Sequence, residues 1–257
     1  FDAPARAEGQ HSVLRLTTDP MPVVRVGFIG LGMRGPGAVE RFTYLDGVEI
    51  KALCDLYPDR VEKSQEILAG RNLPAAAAYS GEEGWKELCR RDDIDLVYIC
   101  TPWQLHVPMA VYAMEHGKHV AVEVPAAMSL EECWQLVDTA EKTQRHCMML
   151  ENCVYDFFEL TTLNMAQHGL FGEIIHTEGS YIHDLDPFWE HYQGNWRLDF
   201  NQSHRGDVYA THGLGPACQL LDIHRGDRMT RLVSMDTESI NGLKTAKEKM
   251  GAETFAN

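Results

Sequence analysis

Short apolar segments alternate with amphipathic segments throughout residues 23–150. The apolar segments are rich in β-branched residues and have the length of buried strands; they cover residues 23–29, 48–53, 94–100, 119–123 and 147–150. Segments with helical periodicity lie between them, at residues 38–44, 60–69, 82–89, 107–116 and 129–143. Strands that alternate with helices predict an α/β fold with a doubly wound parallel sheet and right-handed crossovers.

The pattern changes on both sides of this region. The first segment is polar and contains two prolines near its end, which predicts an extended arm. The last segment has helical patterns at residues 157–168 and 212–223 and strand patterns at residues 173–183 and 231–240. We therefore predict an N-terminal arm (residues 1–22), an α/β domain (residues 23–150) and an α+β domain (residues 151–257).

The second domain has too few predicted strands to be complete. Two strands do not make an independently stable sheet. We therefore expect a largely antiparallel, open sheet whose further C-terminal strands belong to the intact protein and are absent from this sequence. Because an open sheet usually finds a partner, we also expect a homodimer or homotetramer.

A glycine turn follows the first apolar segment and carries the strongest functional signal. It reads Gly30-x-Gly32-Met33-Arg34-Gly35 and stands between a predicted strand and a predicted helix, as in folds that bring backbone N–H groups to a pyrophosphate. Asp55 ends the second apolar segment, where an acidic side chain can bind the ribose hydroxyls of NAD and disfavour NADP. The alternative is a structural turn with a surface aspartate. We therefore predict that residues 23–150 are an NAD-binding Rossmann domain and that residues 151–257 are the substrate and oligomerisation domain.

Further polar residues follow the later strands. Ligands of an open α/β sheet bind beyond the carboxyl ends of its strands, so these residues are candidates for cofactor binding. They are Thr101, Pro102, Trp103 and His106 after one strand and Glu123 after the next. Trp103 could equally pack in the core, and Glu123 could equally brace the turn before a proline.

Composition narrows the possible functions. The net charge of −15 argues against a surface for nucleic-acid phosphates or anionic membranes. No apolar run has the roughly 20 residues that a membrane span needs. Seven dispersed cysteines indicate buried thiols and not a disulfide framework. Residues 1–10 have no signal-peptide pattern, but the chain begins at Phe1, so a removed leader stays open.

The motifs together resemble a known family. The glycine turn, then T-P-x-x-x-H, then G-K-H-V-x-x-E-x-P resemble the Gfo/Idh/MocA oxidoreductases. That family typically has lysine where this chain has Val124, and aspartate where it has Val208. The pieces E-V-P-A-A, M-M-L-E-N, G-S-Y-I-H, N-W-R-L and Y-x-T-H-G-L-G-P resemble one branch, glycoside hydrolase family 109, the NAD-dependent α-N-acetylgalactosaminidases.

The resemblance implies a redox-neutral glycosidase. Tightly bound NAD would oxidise the sugar at C3, the C2 proton and the C1 leaving group would depart, water would add, and C3 would be reduced again. By the same resemblance Glu151, Tyr181, Tyr209 and His212 are catalytic, and Trp196, Arg197 and Tyr209 bind the glycoside. It also implies export to the periplasm, with the cytoplasm as the alternative.

Other interpretations stay open at this stage. An ordinary NAD(H)-dependent sugar dehydrogenase would be expected to keep the lysine and the aspartate, and a dinucleotide sensor would need no proton-transfer groups. Without the resemblance, Tyr181 could be a residue that only packs in the core, and His212 could simply begin a helix. We expect no metal, because the spacing of His183, Asp184, Asp186 and His191 fits no standard zinc pattern. Phe188, Trp189, Tyr192 and Trp196 could face a sugar ring or another subunit.

Overall fold

A computed structural model describes residues 5–185, 187–188, 195–204, 206–238, 240, 244–245 and 247–248. The chain forms two compact units, Phe1–Leu150 and Glu151–Asn257. Among the described residues, no helix has the length and apolarity needed to cross a membrane.

Six parallel strands form the sheet of the first unit. They are β1 (Val24–Ile29), β2 (Val48–Asp55), β3 (Ala77–Ser80), β4 (Leu96–Ile99), β5 (His119–Val122) and β6 (Cys147–Met149). Their order is β3-β2-β1-β4-β5-β6, and every pairing is parallel. The order reverses between β1 and β4, which is where a dinucleotide binds in this topology. The predicted doubly wound parallel sheet is confirmed.

Helices connect these strands. They are α1 (Gly35–Phe42), α2 (Pro58–Gly70), α3 (Gly84–Cys89), α4 (His106–Glu115) and α5 (Leu130–Thr143). The α1 helix begins at Gly35, before the predicted residue 38, so the third glycine of the turn is already helical. At the start of α5, Ser129 Oγ accepts the Glu132 N–H at 3.2 Å, and Glu132 Oε2 accepts the Met128 N–H at 2.7 Å.

The sheet is buried on both faces, which explains its continuous apolar segments. Neighbouring residues of β1 belong to different clusters: Phe28 packs with Val26 and Leu53, whereas Ile29 packs with Val97 and other residues of the second cluster. The edge strand β3 escaped prediction because its sequence is largely alanine and only every second residue is partly buried.

The N-terminal arm contacts α5. The Arg6 guanidinium donates to both carboxylate oxygens of Glu141, at 2.7 and 2.8 Å, and Gln10 Nε2 donates to Glu141 Oε2 at 2.9 Å. The hydrogen bond from Arg6 lowers the pKa of the Glu141 carboxyl. Gln144 Nε2 donates to the His11 carbonyl at 2.8 Å. The described part of the arm is therefore tied to one helix of the first unit.

The helices are the regular elements described in the second unit. After a 3-10 turn (Cys153–Tyr155) come α6 (Phe157–Gln167), α7 (Trp196–Ser203) and α8 (Ala210–Leu220). The helix α7 was not predicted; Asn195 begins it, because its Oδ1 accepts the Arg197 N–H at 3.0 Å.

The two strands predicted in this unit do not appear in its described residues. Residues 173–183 and 231–238 are described without strand structure. Alternating apolar residues form a strand only where a neighbouring strand completes the hydrogen bonds, and in the described part of this unit the one bridge joins Ile223 and Asp227. Ile175 and Leu232 are accordingly 91% and 89% exposed. The predicted antiparallel sheet is absent from the described residues.

Candidate functional site

Two glycines of the turn are required by the protein's own backbone. Gly30 has φ +92°, and a Cβ added to it would lie 2.6 Å from the carbonyl carbon of Cys100. A Cβ added to Gly35 would overlap the carbonyl oxygen of Gly30. These contacts let the turn pass close to the end of β4 and let α1 begin directly behind it.

Gly32 is different, because no protein atom crowds it. A Cβ added there would meet only the Arg60 side chain, at 3.4 Å from Nη1. A glycine that the fold does not need fits a site where a ligand approaches the backbone closely. Thr101 Oγ1 is buried and has no hydrogen-bond partner among the described residues. It therefore offers a polar atom to which a ligand could bind. The exposed Met33 and Arg34 complete the turn.

Asp55 holds the turn in place. Its side chain is nearly buried, its Oδ2 accepts the Leu31 N–H at 2.6 Å, and its Oδ1 accepts the Tyr57 N–H at 3.0 Å. Arg60 Nη1 lies 3.4 Å from the same Oδ1. A carboxylate has about four acceptor positions, so these bonds leave capacity for a ribose hydroxyl. The contact with ribose stays a prediction.

We expect Asp55→Ala to weaken NAD binding by about tenfold or more, because a hydrogen bond to a charged acceptor contributes roughly 1.5–3 kcal/mol. Discrimination against NADP should fall at the same time, since the negative charge is removed. Calorimetric titration with both dinucleotides measures the two effects. Asp59→Ala is the control, because Asp59 is exposed on the neighbouring α2. An unchanged NAD affinity in Asp55→Ala would exclude the assignment.

The structure places His106 inside the fold. The imidazole is 1% exposed; its Nδ1 lies 2.8 Å from the Pro125 carbonyl oxygen, and its Nε2 lies 2.8 Å from that of Thr101. Burial lowers the pKa of the His106 imidazole. Because both ring nitrogens face backbone carbonyls, His106 joins the loops after β4 and β5. The predicted role of His106 in cofactor binding stays a prediction.

The other residues predicted for cofactor binding lie on the same loops. Trp103 is buried at 3% exposure, so its indole packs inside the first unit. Pro102 precedes it, partly exposed. Glu123 follows β5, and its Oε1 accepts the Tyr98 hydroxyl at 3.1 Å. Val124, at the position of the family's lysine, is buried and precedes a cis proline, Pro125.

A buried acid–imidazole pair lies in the second unit. Glu151 Oε1 lies 2.7 Å from His212 Nδ1, and the two side chains are 7% and 4% exposed. The same oxygen accepts the Cys153 N–H at 2.8 Å. Glu151 Oε2 is buried without a hydrogen-bond partner among the described residues. Because the carboxylate accepts, it orients the imidazole with Nδ1 as donor and leaves Nε2 for a ligand.

Two tyrosines flank the imidazole. The ring centroid of Tyr181 lies 4.4 Å from that of His212, and the Tyr209 ring stacks at 5.3 Å with an interplanar angle of 19°. Arg197 Nη1 donates to the Tyr209 hydroxyl at 2.5 Å, and the guanidinium lies 5.1 Å from the centroid of the Trp196 ring. All six residues predicted to be catalytic or glycoside-binding therefore lie in one connected cluster.

Glycines explain how distant segments reach this cluster. A Cβ added to Gly179 would overlap the Gly213 carbonyl oxygen, so the segment before Tyr181 lies directly against the start of α8. A Cβ added to Gly215 would lie 2.8 Å from Val154 Cγ1 and 3.2 Å from Glu151 Cγ. These close approaches bring Glu151, Tyr181 and His212 together.

Of the other residues weighed in the sequence, His183 borders the cluster, because its ring centroid lies 4.5 Å from that of Tyr181. His183 and Asp184 are exposed in a segment without regular structure, and Phe188 is half exposed. Asp186, Trp189, His191 and Tyr192 lie outside the described residues. Sequence reasoning treated Cys153 only as a buried thiol, although it stands two residues from Glu151 and its Sγ belongs to a group of possible metal ligands with Glu151 and His212.

Two family models match the chain. Residues 24–151 match the oxidoreductase family with an NAD-binding Rossmann fold, GFO_IDH_MocA. Residues 155–257 match the C-terminal domain of glycosyl hydrolase 109. Two solved structures share the fold alone. The scyllo-inositol dehydrogenase of Lactobacillus casei has a TM-score of 0.52 and 20% identity, covering 60% of this chain and 44% of its own. A 3-ketoreductase of Actinomadura kijaniata, solved with NADP and TDP-benzene, has a TM-score of 0.51 and 24% identity, covering 59% and 44%.

Curated relatives are much more similar in sequence. Glycosyl hydrolase family 109 protein 1 of Bacteroides fragilis is 67% identical over 251 residues, which are 97% of this chain and 54% of that protein. The family 109 protein of Porphyromonas gingivalis is 65% identical over the same shares. The chain thus spans about half the length of the curated relatives it matches. With its NAD-binding Rossmann domain of the Gfo/Idh/MocA type and its family 109 C-terminal domain, the chain belongs to glycosyl hydrolase family 109.

Proposed function

We propose that this chain carries the cofactor domain and part of the catalytic machinery of a redox-neutral glycosidase that acts on α-N-acetylgalactosaminides or related glycosides. The observation that supports it best is the buried Glu151–His212 pair with the two flanking tyrosines. Such a set suits proton transfer at a sugar ring, and the family's hydrolase name indicates the class of reaction. The Rossmann domain supplies the second requirement, a nicotinamide dinucleotide.

The first unit would hold the cofactor. Gly30, Gly32, Met33, Arg34 and Gly35 would bind the pyrophosphate, and Asp55 would favour NAD over NADP. Thr101, Pro102 and Glu123 would line the same edge of the sheet. The chemistry that a bound NAD would supply is hydride transfer, with a hydride accepted from C3 of the sugar and returned to it at the end of the cycle. The residues of the chain supply binding, orientation and proton transfer.

His212 is the proposed base for the C3 hydroxyl. Glu151 Oε1 holds the proton of Nδ1, so Nε2 is the nitrogen that accepts a proton from the sugar. The negative charge of Glu151 then stabilises the imidazolium that forms. Because the pair is buried, this interaction is stronger than it would be in water. Glu151 positions His212 and can also bind a sugar hydroxyl.

The tyrosines suit the C2 step. Once C3 is a ketone, the C2 proton is acidic; Tyr181 would take that proton as the phenolate, or its neutral hydroxyl would donate a hydrogen bond to the developing enolate. Arg197 donates to the Tyr209 hydroxyl, which fixes that hydroxyl as a donor towards the glycoside. Trp196 provides an apolar ring face next to the same guanidinium. The assembly of chains into a homodimer or homotetramer stays a prediction.

Two other functions compete with this proposal. A sugar dehydrogenase would release NADH, but Val124 and Val208 replace the lysine and aspartate that the resemblance leads one to expect there. A dinucleotide sensor would need no buried proton-transfer pair. The Glu151–His212 pair and these two departures therefore favour the glycosidase.

A reaction in D₂O separates the three functions. Purified protein is incubated with p-nitrophenyl α-N-acetylgalactosaminide and no added cofactor. The glycosidase releases p-nitrophenol, incorporates deuterium at C2 of the product and accumulates no NADH. Steady growth of NADH with free sugar would instead show a dehydrogenase. Bound NAD with no turnover of any α- or β-glycoside would leave the sensor.

A further inference from the structure

Three different potential metal ligands meet in the second unit. A carboxylate oxygen of Glu151, Sγ of Cys153 and a ring nitrogen of His212 all lie within 4.8 Å of one another. Glu151 and His212 are buried, and Cys153 is partly buried. This group is not explained by hydrogen bonding alone, because Glu151 Oε2 is buried and has no partner among the described residues.

The local backbone fixes the group. Glu151 and Cys153 are two residues apart where the chain enters a 3-10 turn, and the Cys153 N–H donates to Glu151 Oε1 at 2.8 Å. His212 lies in the first turn of α8, which Gly215 allows to pack against Glu151. The three ligands therefore come from two segments that are held in contact.

The charges in the group are unbalanced. The Glu151 carboxylate carries a negative charge, and its Oε2 is buried without a hydrogen-bond partner among the described residues. A cation between the three ligands would use the buried Oε2 and would stabilise the thiolate.

We propose that Glu151, Cys153 and His212 bind a thiophilic divalent cation of the zinc class. Thiolate and imidazole ligands select zinc over magnesium or calcium, which prefer oxygen. Zinc accepts one carboxylate beside them, and three protein ligands leave the fourth tetrahedral position for water. The sites of magnesium and calcium would need more oxygen ligands than this group offers.

Protons balance in a simple way on binding. The Sγ–metal bond forms as the thiol proton leaves for solvent. The Nδ1 proton is lost to solvent, a proton is taken up at Nε2, and the imidazole stays neutral while Nδ1 binds the ion. Glu151 binds as the carboxylate. One proton is therefore released for each ion bound.

The site goes beyond the proposed function and excludes it while occupied. Glu151 and His212 belong to the proposed catalytic set, so the ion and the glycoside compete for them. Metal binding itself does not depend on glycosidase activity. Binding is therefore tested without a turnover assay, and failure of one proposal leaves the other standing.

Cobalt provides the test, because Co²⁺ occupies zinc sites and reports its ligands by absorption. Untagged, metal-free protein is titrated with Co²⁺. We expect one equivalent to produce tetrahedral d–d bands and a sulfur-to-cobalt charge-transfer band, and excess Zn²⁺ to remove both. Cys153→Ser should lose the charge-transfer band, whereas Cys218→Ser, a matched change on α8, should keep it. Persistence of the band in Cys153→Ser, or no cobalt spectrum at all, would overturn the proposal.

A second measurement uses the unaltered chain. Zn²⁺ should slow alkylation of Cys153 by iodoacetamide at least about tenfold, because the bound thiolate is not free to react. Mg²⁺ at the same concentration should have no effect. Peptide mass spectrometry measures each cysteine separately, and Cys133, which is exposed on α5, is the internal control. Equal alkylation of Cys153 with and without Zn²⁺ would contradict the site.

Discussion

Gly32→Ala should abolish NAD binding and leave the free energy of unfolding of the cofactor-free protein within about 0.5 kcal/mol of wild type. The reason is that the new methyl group meets no backbone in the protein, only the far end of Arg60 at 3.4 Å. It would instead occupy the space through which a pyrophosphate approaches the turn. Calorimetry with NAD and urea unfolding measure the two quantities independently.

Gly35→Ala is the matched contrast. Its Cβ would overlap the Gly30 carbonyl oxygen, which is backbone and cannot rotate away. We expect a loss of roughly 2–4 kcal/mol in the free energy of unfolding, together with loss of NAD binding. Gly37→Ala is the control inside α1, because its Cβ would meet only the flexible end of Arg41. If Gly32→Ala bound NAD normally, the turn would have no role in holding the dinucleotide.

The first unit could be predicted from sequence because its determinants are local. The strand β1 is buried on both faces, so Val26, Phe28 and Ile29 form a continuous apolar run. Gly35 is required by a local contact, because a Cβ there would overlap the Gly30 carbonyl oxygen. The strand β3 was not predicted. Its pairing with β2 defines it as a strand, whereas its own short, alanine-containing sequence has no clear strand pattern.

The second unit was predicted less well because its pattern depends on distant partners. Residues 173–183 alternate as a strand would, yet the structure places no strand beside them in its described part. The side chain of Ile175 consequently stays exposed. The helix α7 begins at the capping residue Asn195. It was not predicted because the surrounding sequence is aromatic and polar and shows no helical periodicity.

The candidate site needed more than local pattern. Glu151 and His212 are 61 residues apart, and no spacing rule connects them. Only the resemblance to family 109 predicted that they belong to the same site. It could not show which ring nitrogen of His212 meets the carboxylate, or that Cys153 lies beside both. His106 shows the opposite case, a motif residue that the structure places between two backbone carbonyls.

His212→Ala should lower kcat by about 10²–10⁴-fold while NAD affinity stays within a few-fold of wild type. The imidazole is the proposed base, and the residues proposed to hold the dinucleotide belong to the other unit. Stopped assays with the p-nitrophenyl glycoside and calorimetry with NAD give the two numbers. His168→Ala is the control, because His168 is an exposed imidazole at the end of α6.

Glu151→Gln tests whether the carboxylate charge drives the same step. The amide keeps the shape of the side chain and one acceptor for His212 Nδ1, but it removes the charge that stabilises the imidazolium. We therefore expect a fall in kcat approaching that of His212→Ala, with little further loss when the two changes are combined, because residues that act as a unit are not additive. Independent, multiplying effects would mean that Glu151 acts on the sugar and not through His212. Loss of bound NAD in either variant would show that this pair serves the cofactor and not the proton transfers.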